Sequence, residues 1–197
     1  MNRAAFLDRD GVINRKAREG EYVTRWEEMQ ILPEVPEAIA RLNQAGLRVI
    51  VVSNQRCVAK GLITIAGLEA LHQQMCETLA SAEATIDAVY YCPHEKEPPC
   101  PCRKPAPGML LDAAREHEID LRASWMIGDS QADLEAGSSV GCRMALIAGT
   151  NDGTKGEPEV VATSLLDAVQ QILERESFRS GRRLQTSTSR LSSGSDV

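Results

Sequence analysis

The sequence predicts an α/β fold, a doubly wound (Rossmann-like) parallel sheet with helices on both faces. Short apolar runs rich in β-branched residues recur along the chain, and segments with helical spacing separate them. Apolar runs without alternation are typical of strands buried on both faces, as in parallel sheets. Strands that alternate with helices of this length favour right-handed crossovers within one sheet.

Five apolar runs are predicted to be strands. The first covers residues 4–7 and is followed by Asp8, and Gly11 then breaks the extended pattern. The other four cover residues 48–53, 86–91, 124–127 and 143–147. Because open α/β sheets bind ligands beyond the carboxyl ends of their strands, the polar residues after these runs are the candidate site.

Helices are predicted between the strands from apolar spacing and from residues suited to helix ends. Thr64 is placed to cap a helix that runs to about residue 81, and Pro107 opens a helix that ends near His117. Ser130 begins the next helix. Two further helices are predicted over residues 36–46 and 164–174.

Composition and charge limit the possible functions. With 197 residues, 43% of them hydrophobic, the chain can bury one ordinary core, so residues 1–176 are predicted to form one domain. Residues 177–197 are rich in Ser, Thr and Arg and are expected to be a disordered tail. A net charge of −6 argues against a nonspecific nucleic-acid binder. No export signal or membrane-spanning run is evident, so a cytoplasmic monomer with no membrane partner is expected.

Two carboxylates, Asp8 and Asp10, follow the first predicted strand. Carboxylates at this spacing suit Mg²⁺ and covalent chemistry on a phosphate ester. One would attack phosphorus, and the other would protonate the leaving oxygen and then activate water. Taken alone, an Asp-x-Asp-Gly sequence fits a turn or a calcium loop at least as well, with Gly11 supplying a positive φ.

Complementary groups lie at the end of one other strand and before one helix. Ser53 offers a hydroxyl and Asn54 an amide at the end of the second strand. Arg103 and Lys104 lie just before a predicted helix N-terminus, a position that favours phosphate. For each feature there is a structural alternative, a capped turn for Ser53 and Asn54 and a solvated basic pair for Arg103 and Lys104.

A second acidic pair follows the fourth strand. Asp129 ends the strand, and Asp133 comes four residues later, one helical turn on. This spacing brings the two carboxylates near each other and near a shared cation. The alternative is simple capping of the helix N-terminus by Asp133.

Three of the six cysteines lie within eleven residues, beside a histidine. Three thiolates and one imidazole form a closed set of tetrahedral ligands, typical of structural Zn²⁺: Cys92, His94, Cys100 and Cys102. The surrounding residues are polar or proline, which argues against cysteines that merely pack in a core. A zinc-binding loop over residues 92–102 would also fix the adjacent Arg103 and Lys104.

These motifs, in this order, resemble the haloacid dehalogenase superfamily of phosphohydrolases. The resemblance implies an aspartyl-phosphate intermediate, with Asp8 as nucleophile and Asp10 as general acid/base. It implies phosphate stabilisation by Ser53 and Lys104. It further implies that Mg²⁺ is bound by Asp8, the Asp10 backbone carbonyl and Asp129. Asp133 would be a supporting carboxylate.

Within that superfamily, the chain resembles the heptose-bisphosphate phosphatases and the related histidinol-phosphatase domains. The resemblance rests on the Asp-Arg-Asp-Gly motif, the Ser53-Asn54-Gln55 sequence and the Cys92 to Pro105 region. It implies removal of the 7-phosphate of D-glycero-D-manno-heptose 1,7-bisphosphate by an enzyme without a large cap domain. Histidinol phosphate is the alternative substrate, and a zinc-stapled, non-catalytic binding module is the alternative of a different class.

Some residues depart from the family pattern or are given no functional role. Arg56 and Cys57 are bulkier than the residues usual in that loop, and Ser130 replaces a lysine. Arg56 and Lys60 are candidates for binding a second phosphate, with exposed surface charges as the alternative. His72 lies beside an apolar helix face and is interpreted as structural.

Overall fold

The structure is a computed structural model, and it describes residues 1–148 and 157–188, with side chains up to residue 178. Six parallel strands form one sheet in the order β3-β2-β1-β4-β5-β6. Their bounds are β1 Arg3–Leu7, β2 Leu47–Asn54, β3 Ala88–Cys92, β4 Trp125–Gly128, β5 Arg143–Ile147 and β6 Val160–Ala162.

Five α-helices connect or follow these strands. Their bounds are α1 Val35–Gln44, α2 Ile65–Ala80, α3 Gly108–Glu116, α4 Gln131–Ser139 and α5 Leu165–Thr188. The predicted cap at Thr64 is confirmed, because its Oγ1 accepts a hydrogen bond from the Gly67 amide at 3.0 Å. Ser130 is likewise the N-cap of α4 and forms a capping box with Asp133.

Alternate residues of the central strands face two separate core clusters. Ala5 and Leu7 of β1 pack with apolar residues of α1, α2 and α5, whereas Ala4 and Phe6 pack with residues of α3 and α4. Since every strand pairing is parallel and both faces carry helices, the predicted doubly wound fold is confirmed.

The structure adds one strand and lengthens one helix. Strand β6 was not predicted, because three residues at the edge of the sheet are too few for a periodicity to be recognised. Helix α5 continues past the predicted helix end at residue 174 and past the predicted domain boundary at residue 176, to Thr188. Glu176 helps to hold the longer α5 helix in place, because it pairs with Arg3 of β1 and Arg143 of β5. The rest of the predicted tail, residues 189–197, lies outside the described residues.

The longest connection near the candidate site is residues 8–34, between β1 and α1. It contains one 3-10 turn, Trp26–Glu28, and no inserted domain. The connection beside the predicted site is therefore a loop, in agreement with the expectation of an enzyme without a large cap domain.

Across the described parts of the chain, no helix has the length and apolar character needed to cross a membrane.

Candidate active site

Three adjacent strands place their following residues at one edge of the sheet. Asp8 follows β1, Ser53 and Asn54 end β2, and Asp129 follows β4, and these strands are neighbours in the order β2-β1-β4. The Asp8 amide donates to the Ile127 carbonyl at 3.0 Å, which continues the β1–β4 ladder by one residue. All four side chains line a cavity of about 480 Å³.

Lys104 is the cation at the base of this cavity. Its Nζ lies 2.7 Å from Asp8 Oδ1 and 2.6 Å from Asp133 Oδ1, and it donates to the Val52 carbonyl at 2.6 Å. Burial lowers the pKa of this ammonium group, but the two carboxylates more than offset burial, so its pKa is raised. Lys104, only 3% exposed, is thus a fixed positive charge beside Asp8.

Asn54 holds the Lys104 backbone from both sides. Its Oδ1 accepts from the Lys104 amide at 3.0 Å, and its Nδ2 donates to the Lys104 carbonyl at 3.0 Å. The end of β2 is therefore locked to a segment fifty residues later in the chain. Asn54, which is predicted to bind substrate, lines the cavity and makes both of these hydrogen bonds to the backbone of the lysine that contacts Asp8.

Three carboxylates, Asp8, Asp129 and Asp133, are close enough to share a cation. One oxygen from each lies within 4.8 Å of the others. Asp129 Oδ1 is buried with no hydrogen-bond partner, whereas its Oδ2 is 2.6 Å from Lys16 Nζ. A buried, unpartnered carboxylate oxygen in an all-oxygen group fits the ligands that Mg²⁺ prefers.

The electrostatics of this group also favour a cation. Burial raises the pKa of Asp8 to about 7, against the opposing effect of Lys104. Burial likewise raises the pKa of Asp129, against the effect of Lys16. Both carboxylates therefore lack part of the positive charge that would stabilise their ionised forms.

Gly11 gives Asp129 the room it needs. Its φ is +98°, and a Cβ atom added there would lie 2.3 Å from Asp129 Oδ2. The predicted positive φ of Gly11 is confirmed, and the residue also prevents a collision with the acidic cluster.

Asp133 caps helix α4, one of its two predicted functions, and also contacts the buried Lys104. Its Oδ2 accepts from the Ser130 amide at 3.1 Å and from Ser130 Oγ at 2.6 Å, which caps α4. Its Oδ1 contacts Lys104. Ser130, where the family pattern has lysine, thus fixes the carboxylate that supports Lys104.

Asp10 is held by donors on several sides. Arg9 Nη2 donates to both of its carboxylate oxygens at 2.9 Å, Asn14 Nδ2 donates to Oδ1 at 3.0 Å, and Gln55 Nε2 donates to Oδ2 at 2.9 Å. Burial raises the pKa of Asp10, but Arg9 and these hydrogen bonds outweigh burial, so its pKa is lowered. Gln55 Nε2 also lies 2.7 Å from Ser53 Oγ, so Gln55 links Asp10 to Ser53.

The four predicted zinc ligands are brought together. Cys92 Sγ and Cys102 Sγ each lie 3.5 Å from Cys100 Sγ, and His94 Nδ1 lies 3.2 Å from Cys102 Sγ and 3.5 Å from Cys92 Sγ. Tetrahedral Zn–S bonds of about 2.3 Å would separate the sulfur atoms by about 3.8 Å. The donor set and its spacing therefore fit a closed zinc site.

Of the residues predicted to contact the distal part of a substrate, some line the cavity and others lie outside it. Arg103 lines the cavity and donates to the His94 carbonyl at 3.2 Å. Arg56 lies outside the cavity lining and pairs with Glu95 at 3.0 Å. Lys60 also lies outside the lining, with its Nζ 5.9 Å from the centre of the Tyr22 ring.

Sequence reasoning assigned no role to several residues that organise this site. Arg9 and Gln55 hold Asp10, and Lys16 contacts Asp129. The position of Arg9 between two aspartates was a usable signal, because a guanidinium group next to two carboxylates is placed to pair with one of them. No signal marked Lys16, since its contact lies 113 residues away along the chain.

Comparison with known proteins agrees with this geometry. Residues 101–168 match the family model described as HAD-hydrolase-like. The chain is 40% identical over 163 residues to the D-glycero-beta-D-manno-heptose-1,7-bisphosphate 7-phosphatase of Pseudomonas aeruginosa, covering 82% of this chain and 90% of that protein. The corresponding Bordetella bronchiseptica protein is 39% identical over 176 residues, covering 86% and 97%. The chain belongs to the HAD-like heptose-1,7-bisphosphate 7-phosphatase family.

A solved structure from the HAD-like heptose-1,7-bisphosphate 7-phosphatase family has the same fold. It is the D,D-heptose 1.7-bisphosphate phosphatase from B. bronchiseptica complexed with magnesium and phosphate, at a TM-score of 0.80 and 37% identity. The match covers 88% of this chain and 99% of that structure. The predicted superfamily is confirmed, and the chain is a phosphomonoester hydrolase of the HAD-like class.

Proposed function

We propose that this enzyme removes the 7-phosphate of D-glycero-D-manno-heptose 1,7-bisphosphate, with Asp8 as the nucleophile. The observation that carries the assignment of Asp8 is its contact with Lys104, 2.7 Å away in the cavity where the strand ends meet. A dianionic phosphate repels a carboxylate, so a nucleophilic aspartate needs positive charge close by. The substrate is suggested by the names of the relatives and by the cations that line the cavity.

The first chemical step transfers the phosphoryl group to Asp8. Lys104 fixes the carboxylate through Oδ1, and the second oxygen attacks phosphorus in line with the leaving group. The bond from phosphorus to the sugar oxygen breaks, and Asp10 gives that oxygen a proton. Because the pKa of Asp10 is lowered in the free enzyme, Asp10 takes up this proton when the anionic substrate binds. Ser53 and Lys104 would stabilise the charge on the transferred phosphoryl oxygens.

The second step hydrolyses the aspartyl-phosphate. Asp10, now ionised, takes a proton from a water molecule that attacks the same phosphorus atom. The bond from phosphorus to the Asp8 oxygen breaks, which releases inorganic phosphate and regenerates both carboxyl groups. The donors around Asp10 keep its carboxylate in one place for both proton transfers.

Asp8, Asp129 and the Asp10 backbone carbonyl would hold Mg²⁺, with Asp133 in support. The unpartnered Asp129 Oδ1 and the three clustered carboxylates support this assignment. When bound, the ion would neutralise charge and orient the phosphoryl group.

Zn²⁺ would be held by the cysteine and histidine cluster with a structural function. Four protein ligands leave no open position for a substrate or a water molecule. The last ligand, Cys102, directly precedes Arg103 and Lys104, so the metal would fix the loop that carries both cations. Equimolar zinc in the purified enzyme, measured by elemental analysis, would support this assignment, and zinc-free active enzyme would refute it.

The wider setting belongs to the same proposal. None of the six cysteines, all of which the structure describes, forms a disulfide, as expected for a protein of a reducing compartment, so we place the enzyme in the cytoplasm. We further propose a monomer with one phosphatase domain, residues 1–176, and the zinc loop at residues 92–102.

Parallel assays of purified enzyme would test the substrate. Heptose 1,7-bisphosphate, as both anomers, and histidinol phosphate would be compared by kcat/KM with Mg²⁺ present. We expect the heptose bisphosphate to be preferred, since further cations, including Lys16, Arg18, Lys96 and Arg103, line the cavity around Lys104. A preference for histidinol phosphate would overturn the substrate, and loss of all activity in an Asp8→Asn variant is the matched control.

A further inference from the structure

The side chain of Arg9 is buried against Asp10 in the wall of the cavity. It is 1% exposed, although it lies in sequence between the two aspartates that open the site. Its Nη2 donates to both Asp10 carboxylate oxygens at 2.9 Å. Its Nη1 lies 3.1 Å from His72 Nε2, a contact that joins the loop after β1 to helix α2.

The chemistry of this contact fixes the form of His72. A guanidinium group has donors only, so His72 Nε2 must be the acceptor, and its ring proton must be on Nδ1. Burial and the Arg9 charge lower the pKa of His72 to about 3, so the imidazole is neutral. The Nδ1 atom is buried without a hydrogen-bond partner.

This arrangement is not the one expected for a histidine that merely fills the core. An apolar residue at position 72 would bury no unpartnered N–H group and would fit the apolar face of α2. The His72 ring packs against Tyr91, with ring centres 5.5 Å apart, and Tyr91 in turn donates to Glu69 at 2.9 Å. His72 is thus held on one side by an aromatic ring and presents its acceptor to Arg9.

We propose that Arg9 and His72 are positioning residues that hold the Asp10 carboxylate at the angle from which it reaches the leaving oxygen. The inference rests on the proposed function, in which Asp10 is the general acid. Arg9 contacts Asp10 directly, whereas His72 acts through Arg9. Of the three donors on Asp10, Arg9 alone is charged and grips both oxygens, so its own orientation decides that of the carboxylate.

Leaving groups of different basicity separate positioning from a merely structural function. A sugar alkoxide cannot leave without a proton, whereas p-nitrophenolate leaves unprotonated. Misplacing Asp10 therefore slows hydrolysis of an alkyl phosphate and spares that of p-nitrophenyl phosphate. The ratio of kcat/KM on the two substrates is the measurement, because kcat/KM covers the steps through departure of the leaving group.

His72→Leu and His72→Gln form the central comparison. We expect His72→Leu to lose roughly tenfold or more in kcat/KM on the alkyl phosphate, part of the about 10²–10⁴-fold supplied by general acid–base catalysis. On p-nitrophenyl phosphate the loss is expected to be about twofold. His72→Gln offers an amide oxygen near the position of Nε2 and is expected to recover most of the activity. Equal losses on both substrates, or no recovery with glutamine, would overturn the inference.

Two further variants keep the test decisive. Asp10→Asn is expected to show the same dependence on the leaving group more strongly, and if it does not, the proposed general acid itself is wrong. If Asp10→Asn shows it and His72→Leu does not, only the positioning inference fails. Arg9→Lys keeps the buried charge but loses the planar guanidinium group that contacts both Asp10 oxygens and His72. If His72→Leu does not fold, Arg9→Lys is compared on the same two substrates.

Discussion

Lys16 Nζ lies 2.6 Å from Asp129 Oδ2, on the carboxylate whose other oxygen is buried without a hydrogen-bond partner. The lysine side chain is 59% exposed and belongs to the loop after β1, so it can leave more easily than the buried Lys104. In this structure it therefore supplies part of the charge that the acidic cluster requires. A metal ion at the same cluster would compete with it.

Lys16→Met is expected to tighten Mg²⁺ binding by roughly 1.4-fold to fivefold. The gain follows because an ion pair at an exposed lysine stabilises by about 0.2–1 kcal/mol, and Mg²⁺ would no longer have to displace it. Isothermal titration with Mg²⁺ would measure the change. Lys96→Met removes a charge from the same cavity but keeps the Asp129 contact, so it is the control. Weaker Mg²⁺ binding in Lys16→Met would contradict the competition.

Asp8→Asn is expected to stabilise the enzyme in Mg²⁺-free buffer, increasingly as the pH rises toward neutrality. The pKa of Asp8 is raised from 3.8 to about 7 in the folded state, so the folded state binds this proton more tightly than the unfolded chain does. Ionisation of Asp8 therefore costs stability progressively between these two values, and the cost is constant above about pH 7. Asparagine cannot ionise and avoids that cost.

Urea unfolding of both proteins between about pH 5 and pH 8 would measure this difference. A difference of one between folded and unfolded pKa corresponds to about 1.4 kcal/mol, and the raised pKa of Asp8 already contains the opposing effect of its Lys104 ion pair. Added Mg²⁺ should stabilise the wild type more than the variant. A difference that shrinks as the pH rises would show that Asp8 does not have a raised pKa.

Gly11→Ala is expected to disrupt the acidic cluster. The new Cβ would lie 2.3 Å from Asp129 Oδ2, so the carboxylate must move away from Asp8. Gly20→Ala is a matched control, because Gly20 also has a positive φ, +83°, but no atom lies within 4 Å of its added Cβ. Both variants should lose about 1–2 kcal/mol of unfolding free energy to backbone strain.

Only Gly11→Ala should also weaken Mg²⁺ binding and lower kcat/KM, by roughly tenfold or more for about 1.4 kcal/mol of lost transition-state stabilisation. The two variants would be compared by Mg²⁺ titration and steady-state kinetics. Equal kinetic effects at the two positions would mean that the space beside Asp129 does not matter.

Cys102→Ser is expected to release zinc and to lower the melting temperature by more than a variant of a cysteine outside the cluster does. A structural zinc site contributes directly to folding, and the loop over residues 92–102 has few apolar residues to replace it. Cys76→Ser, in helix α2 and outside the cluster, is the control. Metal analysis and thermal denaturation would be compared for both. Retention of zinc and of the melting temperature in Cys102→Ser would contradict the proposed zinc site.

Much of the fold was predictable because its signals are local. Buried strands such as Arg48 to Ser53 are continuous apolar runs, and Thr64 and Ser130 are side chains suited to cap the helices that follow them. Strand β6 has three residues and no such signal. The extension of α5 was missed because residues 177–188 have little apolar character, and the anchoring of Glu176 to Arg3 joins distant parts of the chain.

The candidate site was predictable where its residues follow strands. Asp8, Ser53 and Asp129 were expected to meet because the carboxyl ends of parallel strands share one edge of the sheet, and the structure brings them together. Lys16 and His72 could not be recognised in this way. Their functional contacts are made by side chains from a loop and a helix, and single residues there leave no periodic or spacing signal.

The central claim is that Asp8 becomes phosphorylated, and trapping the intermediate tests it most directly. An Asp10→Asn variant would be mixed with p-nitrophenyl phosphate and Mg²⁺, acid-quenched and analysed by peptide mass spectrometry. The first step needs no proton with this leaving group, whereas hydrolysis of the intermediate lacks its base. We predict one phosphoryl group on the peptide that contains Asp8, absent when Asp8 is also changed to Asn. Turnover without a phosphorylated Asp8 peptide, or activity in Asp8→Asn, would contradict the account.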